Sequence, residues 1–247
     1  MGFDFDRMAP SYDEHRQGKG PYYETLLGLL QAQQANRVLE LGAGTGNNTL
    51  AIHADYPCAL HALEPSRAML QQARQKSKAI CCLQGDAIAL PYQADAFDFL
   101  YGTYMLHHIT ALDALMGECY RVLNKGSVAF VTVSEDFIQN HPMNAWFPSF
   151  AKVDLARFQP IDEVCATMEQ AGFGSVQFKH TYSPPRAIDE SYVNKVANKF
   201  ITTYALLPEA EFKAGVAQLK EDVATPGKIK TTIVREATLV WGYKSAK

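Results

Sequence analysis

The segment Val38-Leu39-Glu40-Leu41-Gly42-Ala43-Gly44-Thr45-Gly46 constrains this chain more than any other. An apolar run that stops beside an acidic residue and opens into glycines at alternate positions reads as a strand followed by a tight, bare-backbone turn. Glycine is needed there because a Cβ would bar either the positive-φ conformations of the turn or the close approach of a ligand. The next apolar run, residues 59–64, ends at a second carboxylate, Glu64. A carboxylate at a neighbouring strand end can accept hydrogen bonds from both hydroxyls of a ribose. Together the two features predict a nucleoside-binding end on a parallel sheet.

Glycine spacing separates the nucleoside cofactors. A dinucleotide fingerprint puts its third glycine five positions after the first, where the helix packs on the sheet. Here that position is Asn47 and the third glycine is Gly46, which counts against a nicotinamide-dependent oxidoreductase. Beyond the loop, short apolar runs alternate with helix-length amphipathic segments, the pattern of a parallel sheet with crossover helices. Strands are expected at about 37–41, 59–64, 79–84, 97–103, 127–133 and 175–182. Ser66 is placed to cap a helix through Met69, Leu70 and Ala73. Leu112, Leu115, Met116, Cys119 and Leu123 fall at helical spacing, with Asn124-Lys125-Gly126 as the stop. Pro160 precedes a helix over 161–171. Residues 189–224 then read as two helices divided near Pro208, followed by a long last strand over 231–243.

At 247 residues the chain suits one α/β domain. Its expected parts are an arm and helix at 1–35, a core at 36–182, a helical insertion at 188–226 and the last strand. A formal charge of −3 and scattered basic residues exclude a broad attraction to phosphate backbones, so no nucleic-acid partner is expected. No apolar run approaches the roughly 20 residues of a spanning helix, so no membrane insertion is expected. Five cysteines without a Cys-x-x-Cys pair point to buried thiols in a reducing cytoplasm, with no metal site.

Downstream, the sequence adds Gly85-Asp86-Ala87 after the third run, Phe97-Asp98-Phe99 through His108 at the fourth, and Arg121-Val122-Leu123-Asn124-Lys125-Gly126 before the fifth. In this order the motifs resemble those of the class I S-adenosylmethionine-dependent methyltransferases, in their small-molecule branch. The resemblance runs from about Phe5 to Phe173. It implies a Rossmann-like three-layer fold with a seven-stranded, mostly parallel sheet, an antiparallel last strand and the helical insertion between strands six and seven. It implies S-adenosylmethionine as cofactor and S-adenosylhomocysteine as product. Glu40, Gly42, Ala43, Gly44 and Gly46 would wrap the methionine end and adenosine, and Glu64, followed by Pro65, would bind the ribose. Asp86, between Gly85 and Ala87, would meet the adenine amino group. Met69 is a candidate to pack on adenine, Tyr101 lies in the fourth motif, and Tyr12 of the amino-terminal arm would fold over the cofactor. The turn 124–127 departs from the family's pattern by losing a proline and a glycine, a change expected to touch structure rather than chemistry.

Methyl transfer asks little of side chains, because the sulfonium is already a good leaving group and alignment in a dry pocket supplies much of the acceleration. A base is needed only if the acceptor must lose a proton. His107, His108 and His141 are the candidates, since a histidine accepts a proton near neutral pH. The Asn/Asp-Pro-Pro-Tyr/Phe turn of enzymes that methylate exocyclic or side-chain amines is replaced here by Tyr101-Gly102-Thr103-Tyr104, which favours a small acceptor. Tyr104, Trp146, Phe147, Phe150, Phe200 and Tyr204 are candidates to line an acceptor pocket. The same aromatic residues suit a seam that docks the insertion onto the sheet. A non-catalytic cofactor-binding module or sensor of this fold remains the alternative, and the protein is expected as a monomer or homodimer.

Overall fold

A computed structural model describes residues 5–13, 18–229 and 232–245. Its principal sheet is built from β1 (Arg37–Leu41), β2 (Ala59–Glu64), β3 (Cys81–Gln84), β4 (Phe97–Thr103), β5 (Leu123–Thr132), β6 (Gly174–Tyr182) and β9 (Glu236–Lys244). The spatial order is β3-β2-β1-β4-β5-β9-β6. Only β9 runs antiparallel to its neighbours β5 and β6; the other pairings are parallel. The expected seven-stranded sheet with a reversed last strand is thus observed. All the other strands end at one edge, and the chain returns into β9 at that same edge, where Tyr182 pairs with Glu236.

Strand periodicity sets the layers. Val38 faces Leu60, Phe99, Ala129 and Leu239 against α2 (Tyr23–Gln33) and Ile52 of α3 (Asn47–Asp55). Leu39, Leu41, Leu100, Val128 and Val240 point the other way, against α5 (Leu112–Val122) and α8 (Ile161–Gln170). Ser66 does cap α4 (Arg67–Lys76), accepting the Met69 N–H at 3.2 Å. Asp98 accepts from the backbone N–H groups of Asn36 and Arg37 and pairs with the Arg37 guanidinium, tying β4 to the start of β1.

Three boundaries differ from the sequence reading. The expected helix stop at Asn124-Lys125-Gly126 lies inside β5, which starts at Leu123 and is offset by a register shift against β4. Gly126 makes this possible: a Cβ there would stand 1.9 Å from the Asp98 carbonyl oxygen. The insertion holds three helices rather than two, α9 (Glu190–Ala197), α10 (Thr202–Leu206) and α11 (Glu209–Ala224). Pro208 does open α11, but the extra break falls at Lys199, a non-glycine residue in the left-handed region with φ 51°. The last strand is shorter than expected because Thr232–Ile233 forms β8 and pairs with β7 (Arg186–Ala187) in a separate ribbon.

The segment after β5 also carries helices that the pattern did not announce: α6 (Glu135–Gln139), a 3-10 turn Pro142–Ala145 and α7 (Phe150–Leu155). With the insertion they enclose their own apolar core, including Met143, Phe147, Phe150, Val196, Tyr204 and Leu219. Arg157 ties its base by bonding Asp154 and Thr203.

Candidate cofactor site

Gly42, Gly44 and Gly46 have φ of 67°, 55° and 79°, so the turn after β1 requires the left-handed region at every second residue. The Ala43 N–H bonds the Leu63 carbonyl at 3.0 Å and the Gly46 N–H bonds that of Ala43 at 2.9 Å, which pins the loop to the end of β2. A Cβ on Gly46 would press on Ala73 of α4 at 3.1 Å, so that glycine serves helix packing. Gly44 is different. Among the described residues, the only atoms within 4 Å of its would-be Cβ belong to the Tyr12 ring, at 3.8 and 3.9 Å.

Glu64 is buried at the end of β2. Its Oε2 accepts the Gly44 N–H at 2.8 Å and its Oε1 accepts the Ser66 N–H at 2.9 Å. Each oxygen keeps a lone pair for a further donor. Burial pushes the carboxyl up from its ordinary range, while the two backbone donors pull it down. On the adjoining strand β3 pairs Gln84 with Glu64, and the Gly85 N–H reaches the Glu64 carbonyl at 3.4 Å. Asp86 follows, exposed, with its Oδ1 accepting the Ile88 N–H at 3.1 Å. Glu64, Gly44 and Asp86 therefore share one corner of the strand edge.

Glu40 lies fully buried beneath the loop. Its Oε2 accepts from Thr49 Oγ1 and from the Tyr101 hydroxyl at 3.0 Å, since β1 and β4 pair Glu40 with Tyr101. Among the described residues the other oxygen, Oε1, has no hydrogen bond of good geometry, although the Asn48 amide also acts on this carboxyl. Burial pushes the Glu40 carboxyl up to about 8. Alongside, Asn48 donates to Thr103 Oγ1 at 2.6 Å and accepts from the Tyr22 hydroxyl at 2.7 Å. Thr49, Asn48 and Tyr22 had no sequence signal of their own; only the strand register and the start of α3 bring them to Glu40.

The amino-terminal arm forms α1 (Phe5–Tyr12) and lies along α4. Asp6 accepts from the Ser66 hydroxyl and from the Ala68 N–H at 3.2 Å, adding charge at the α4 N-terminus where the helix dipole favours it. Asp13 accepts from Thr45 Oγ1 at 2.5 Å and Asn47 Nδ2 at 2.9 Å, and pairs with Lys76 at 2.6 Å. These bonds hold Tyr12 over Gly44. Sequence reading found Tyr12 but missed both aspartates that anchor it.

Several expected roles change. Tyr101 is fully buried behind Glu40, so it orients that carboxyl instead of meeting a ligand itself. Met69 and Ala87 are buried, Ala87 in the main core, while Pro65 is exposed with its carbonyl held by Gln84. A Cβ on Gly85 would stand 2.8 Å from a terminal methyl of Leu63, so that side chain would have to shift. His141 accepts the Met143 N–H on Nδ1 at 3.2 Å and stacks on Phe150, so its basic lone pair is engaged in capping the 3-10 turn. Burial lowers it to about 4, which keeps the ring neutral and makes it a weak base. His107 and His108 follow β4 in a 3-10 turn, Leu106–His108, where His107 stacks on Phe158 and His108 meets the Phe5 edge. Of the expected acceptor-pocket residues, Phe147, Phe150 and Tyr204 are buried in the core of the insertion, and Phe200 packs against it. Trp146 also packs there, donating to Asp222 of α11 at 3.0 Å. These five thus pack within the insertion's own core, which includes no residue of the principal sheet. Tyr104 stands apart at the β4 exit, with φ 51° and its ring 6.0 Å from that of Tyr22.

The residues present fit an adenosyl cofactor. The turn offers open backbone at Gly44, Glu64 offers two oxygens with spare lone pairs, and Glu40 offers a buried oxygen, Oε1, without a close donor among the described residues. Residues 39–131, covering the sheet from β1 to β5, match the methyltransferase domain family. A malonyl-[acyl-carrier protein] O-methyltransferase from Halorhodospira halophila is 30% identical over 74% of this chain and 66% of its own length. The chain spans between about half and two thirds of the length of the curated relatives it matches first. In fold it resembles a candidate methyltransferase from an antibiotic biosynthesis pathway of Anabaena variabilis, with a TM-score of 0.76 at 21% identity, covering 89% of this chain and 95% of the other. It also resembles a phosphoethanolamine N-methyltransferase 2 of Haemonchus contortus bound to S-adenosylhomocysteine, with a TM-score of 0.54 at 14% identity over 91% and 53% of the two chains. With the strand order, the glycine turn and the two carboxylates of its first two strands, the chain belongs to the class I S-adenosylmethionine-dependent methyltransferases.

Proposed function

We propose that this chain catalyses transfer of the methyl group of S-adenosylmethionine to a small-molecule acceptor, with an acidic oxygen as the attacking atom. The observation that carries the reading is the convergence of Glu64, the Gly44 backbone and Glu40 at one strand edge under Tyr12. The cofactor supplies a methyl on a cationic sulfur; an acceptor lone pair forms the new bond as the carbon–sulfur bond breaks and its electron pair returns to sulfur.

In this reading Glu64 holds the ribose, and the loop from Gly42 to Gly46 and Glu40 hold the methionine end. Asp86 reads the adenine, with Gly85 and Ala87 contributing backbone. Tyr12 excludes water with its ring and offers a hydroxyl to the site. A carboxylate acceptor fits the geometry because it is already ionised and needs no base, and His141 has been given over to capping. It also fits the relatives, several of which are named for O-methylation of malonyl groups on acyl-carrier protein. His107 and His108 would then shape the acceptor side of the site.

Among the described residues no helix is long and apolar enough to cross a membrane, and all five cysteines are unpaired. Both support a cytoplasmic enzyme working on a diffusible or carrier-borne acceptor. The test is incubation with methyl-labelled cofactor and short dicarboxylic acyl thioesters. Label should enter product as an ester that alkali releases as methanol. Cofactor binding without label in any acceptor would favour the non-catalytic module instead.

A further inference from the structure

The root of the insertion holds a cavity of about 270 Å³ whose lining shares no residue with the cofactor corner. Two elements wall it: β7 with Arg186 and Ala187, and the first turns of α9 with Ser191, Tyr192 and Lys195. Positions 191 and 195 stand one helical turn apart with 192 beside them, so the three share a face. Val193 and Val196, on the face beyond Tyr192, are buried in the insertion's core and fix how the helix presents the other three. Only residues 183–185 separate β7 from β6. The Ser183 N–H bonds the Arg235 carbonyl and the Arg235 N–H bonds Ser183 Oγ, both at 2.9 Å, which ties the base of the ribbon to the start of β9. The cavity therefore belongs to the unit that rises from the same strand edge as the cofactor corner.

Its charge is unbalanced. Arg186 is exposed and Lys195 half-buried, and among the described residues neither forms an ion pair. Elsewhere on the insertion Lys199 and Lys213 share Glu209, and Lys228 pairs with Asp222. Asp189 also lines the cavity, but its Oδ1 accepts the Tyr192 N–H and caps α9. Glu190, next in the chain, is exposed and lies outside the lining. Two cations against one capping carboxylate, beside the start of a helix whose dipole favours negative charge, make a recess for an anion. In the acceptor reading above, the acceptor's own carboxylate sits at the methyl donor, so the anion held here is a different one. A guanidinium fork and an ammonium together suit a phosphate. We propose that this cavity is a phosphate subsite for the acceptor: Arg186 and Lys195 hold the phosphate of the arm that carries an acyl thioester. The two residues select and orient the acceptor and take no part in bond making; the inference rests on the acyl-thioester reading.

Two malonyl thioesters that differ by one group, those of phosphopantetheine and of pantetheine, test it as acceptors for the full chain. The phosphorylated acceptor should have the higher kcat/KM by about tenfold, chiefly through KM. With Arg186→Gln and Lys195→Gln combined, the two acceptors should be handled alike, whereas Lys195→Arg alone should keep most of the preference. The malonyl thioesters of coenzyme A and of a carrier protein then distinguish a free arm from a protein-borne one. Calorimetry on the protein saturated with S-adenosylhomocysteine needs no turnover. Phosphopantetheine should bind about tenfold more tightly than pantetheine, and the difference should shrink with added salt and vanish in the double variant. Equal handling of the two acceptors by the unmodified protein, a preference that survives in the double variant, or binding indifferent to the phosphate overturns this inference alone. If neither thioester is methylated, the acyl-thioester reading fails, and the phosphate-dependent heat then decides the subsite by itself: its absence overturns the subsite too.

Discussion

Glu64 and Glu40 sit at the ends of adjacent strands on the same face of the sheet, yet their surroundings assign them different work. Glu64 has two backbone N–H donors and a place at the rim; Glu40 has two hydroxyl donors and complete burial. Replacing Glu64 by Ala removes two charge-assisted contacts to a ribose and should weaken cofactor binding by about 1–3 kcal/mol. Calorimetry reads this directly, and unchanged affinity would remove Glu64 from the site. Glu40 has a signature in stability. Its folded-state value of about 8 lies above that of an exposed glutamic acid, so the folded chain holds a proton that the unfolded chain releases. The empty protein should lose stability as pH rises from near 5 toward 8, by at most about 1.4 kcal/mol per unit from this one group. Denaturant titrations across that window should show the slope, and Glu40→Gln should flatten it. His141 behaves in the opposite sense, since its lowered value makes its contribution vanish as pH falls through about 4.

At the scale of elements, α1 is a strap fastened at both ends. Asp13 grips Thr45, Asn47 and Lys76, and Asp6 grips the start of α4. The Lys76 pair is partly exposed and contributes little alone, but the bonds to Thr45 and Asn47 fix the strap to the glycine loop. Asp13→Ala should loosen it by about 1 kcal/mol, seen as faster cofactor release in stopped flow and faster proteolysis of the amino-terminal segment. The insertion answers to packing. Phe147→Ala should destabilise the fold by roughly 3–5 kcal/mol while leaving the ranking of acceptors unchanged. A changed ranking would return Phe147 to the acceptor pocket.

These elements also show what the sequence could and could not reveal. All seven sheet strands and the Ser66 cap were legible because periodicity and caps are local signals. The break at Lys199 was not, because a non-glycine residue takes the left-handed conformation there without advertising it. The glycine turn and Glu64 were readable from motif order. Thr49, Tyr22 and the role of Tyr101 were not, since strand register and helix placement bring them to Glu40. Aromatic residues after β5 were ambiguous in principle: pocket and seam have the same composition, and only burial tells them apart.

For the whole molecule, the topology puts every site loop on one edge. The parallel strands all end there, the reversed β9 starts there, and the insertion between β6 and β9 must therefore rise from the same side. That arrangement raises a separately cored unit from the same edge as the cofactor corner, with Glu236 at its base accepting from the Ser134 N–H, the Ser134 hydroxyl and Thr238. The central claim is that this edge is built for the adenosyl cofactor. Titration of the purified chain with S-adenosylhomocysteine and, separately, with a nicotinamide dinucleotide tests it most directly. The account predicts one saturable site for the former and no heat from the latter. No binding of S-adenosylhomocysteine, or a saturable nicotinamide site in its place, would contradict it.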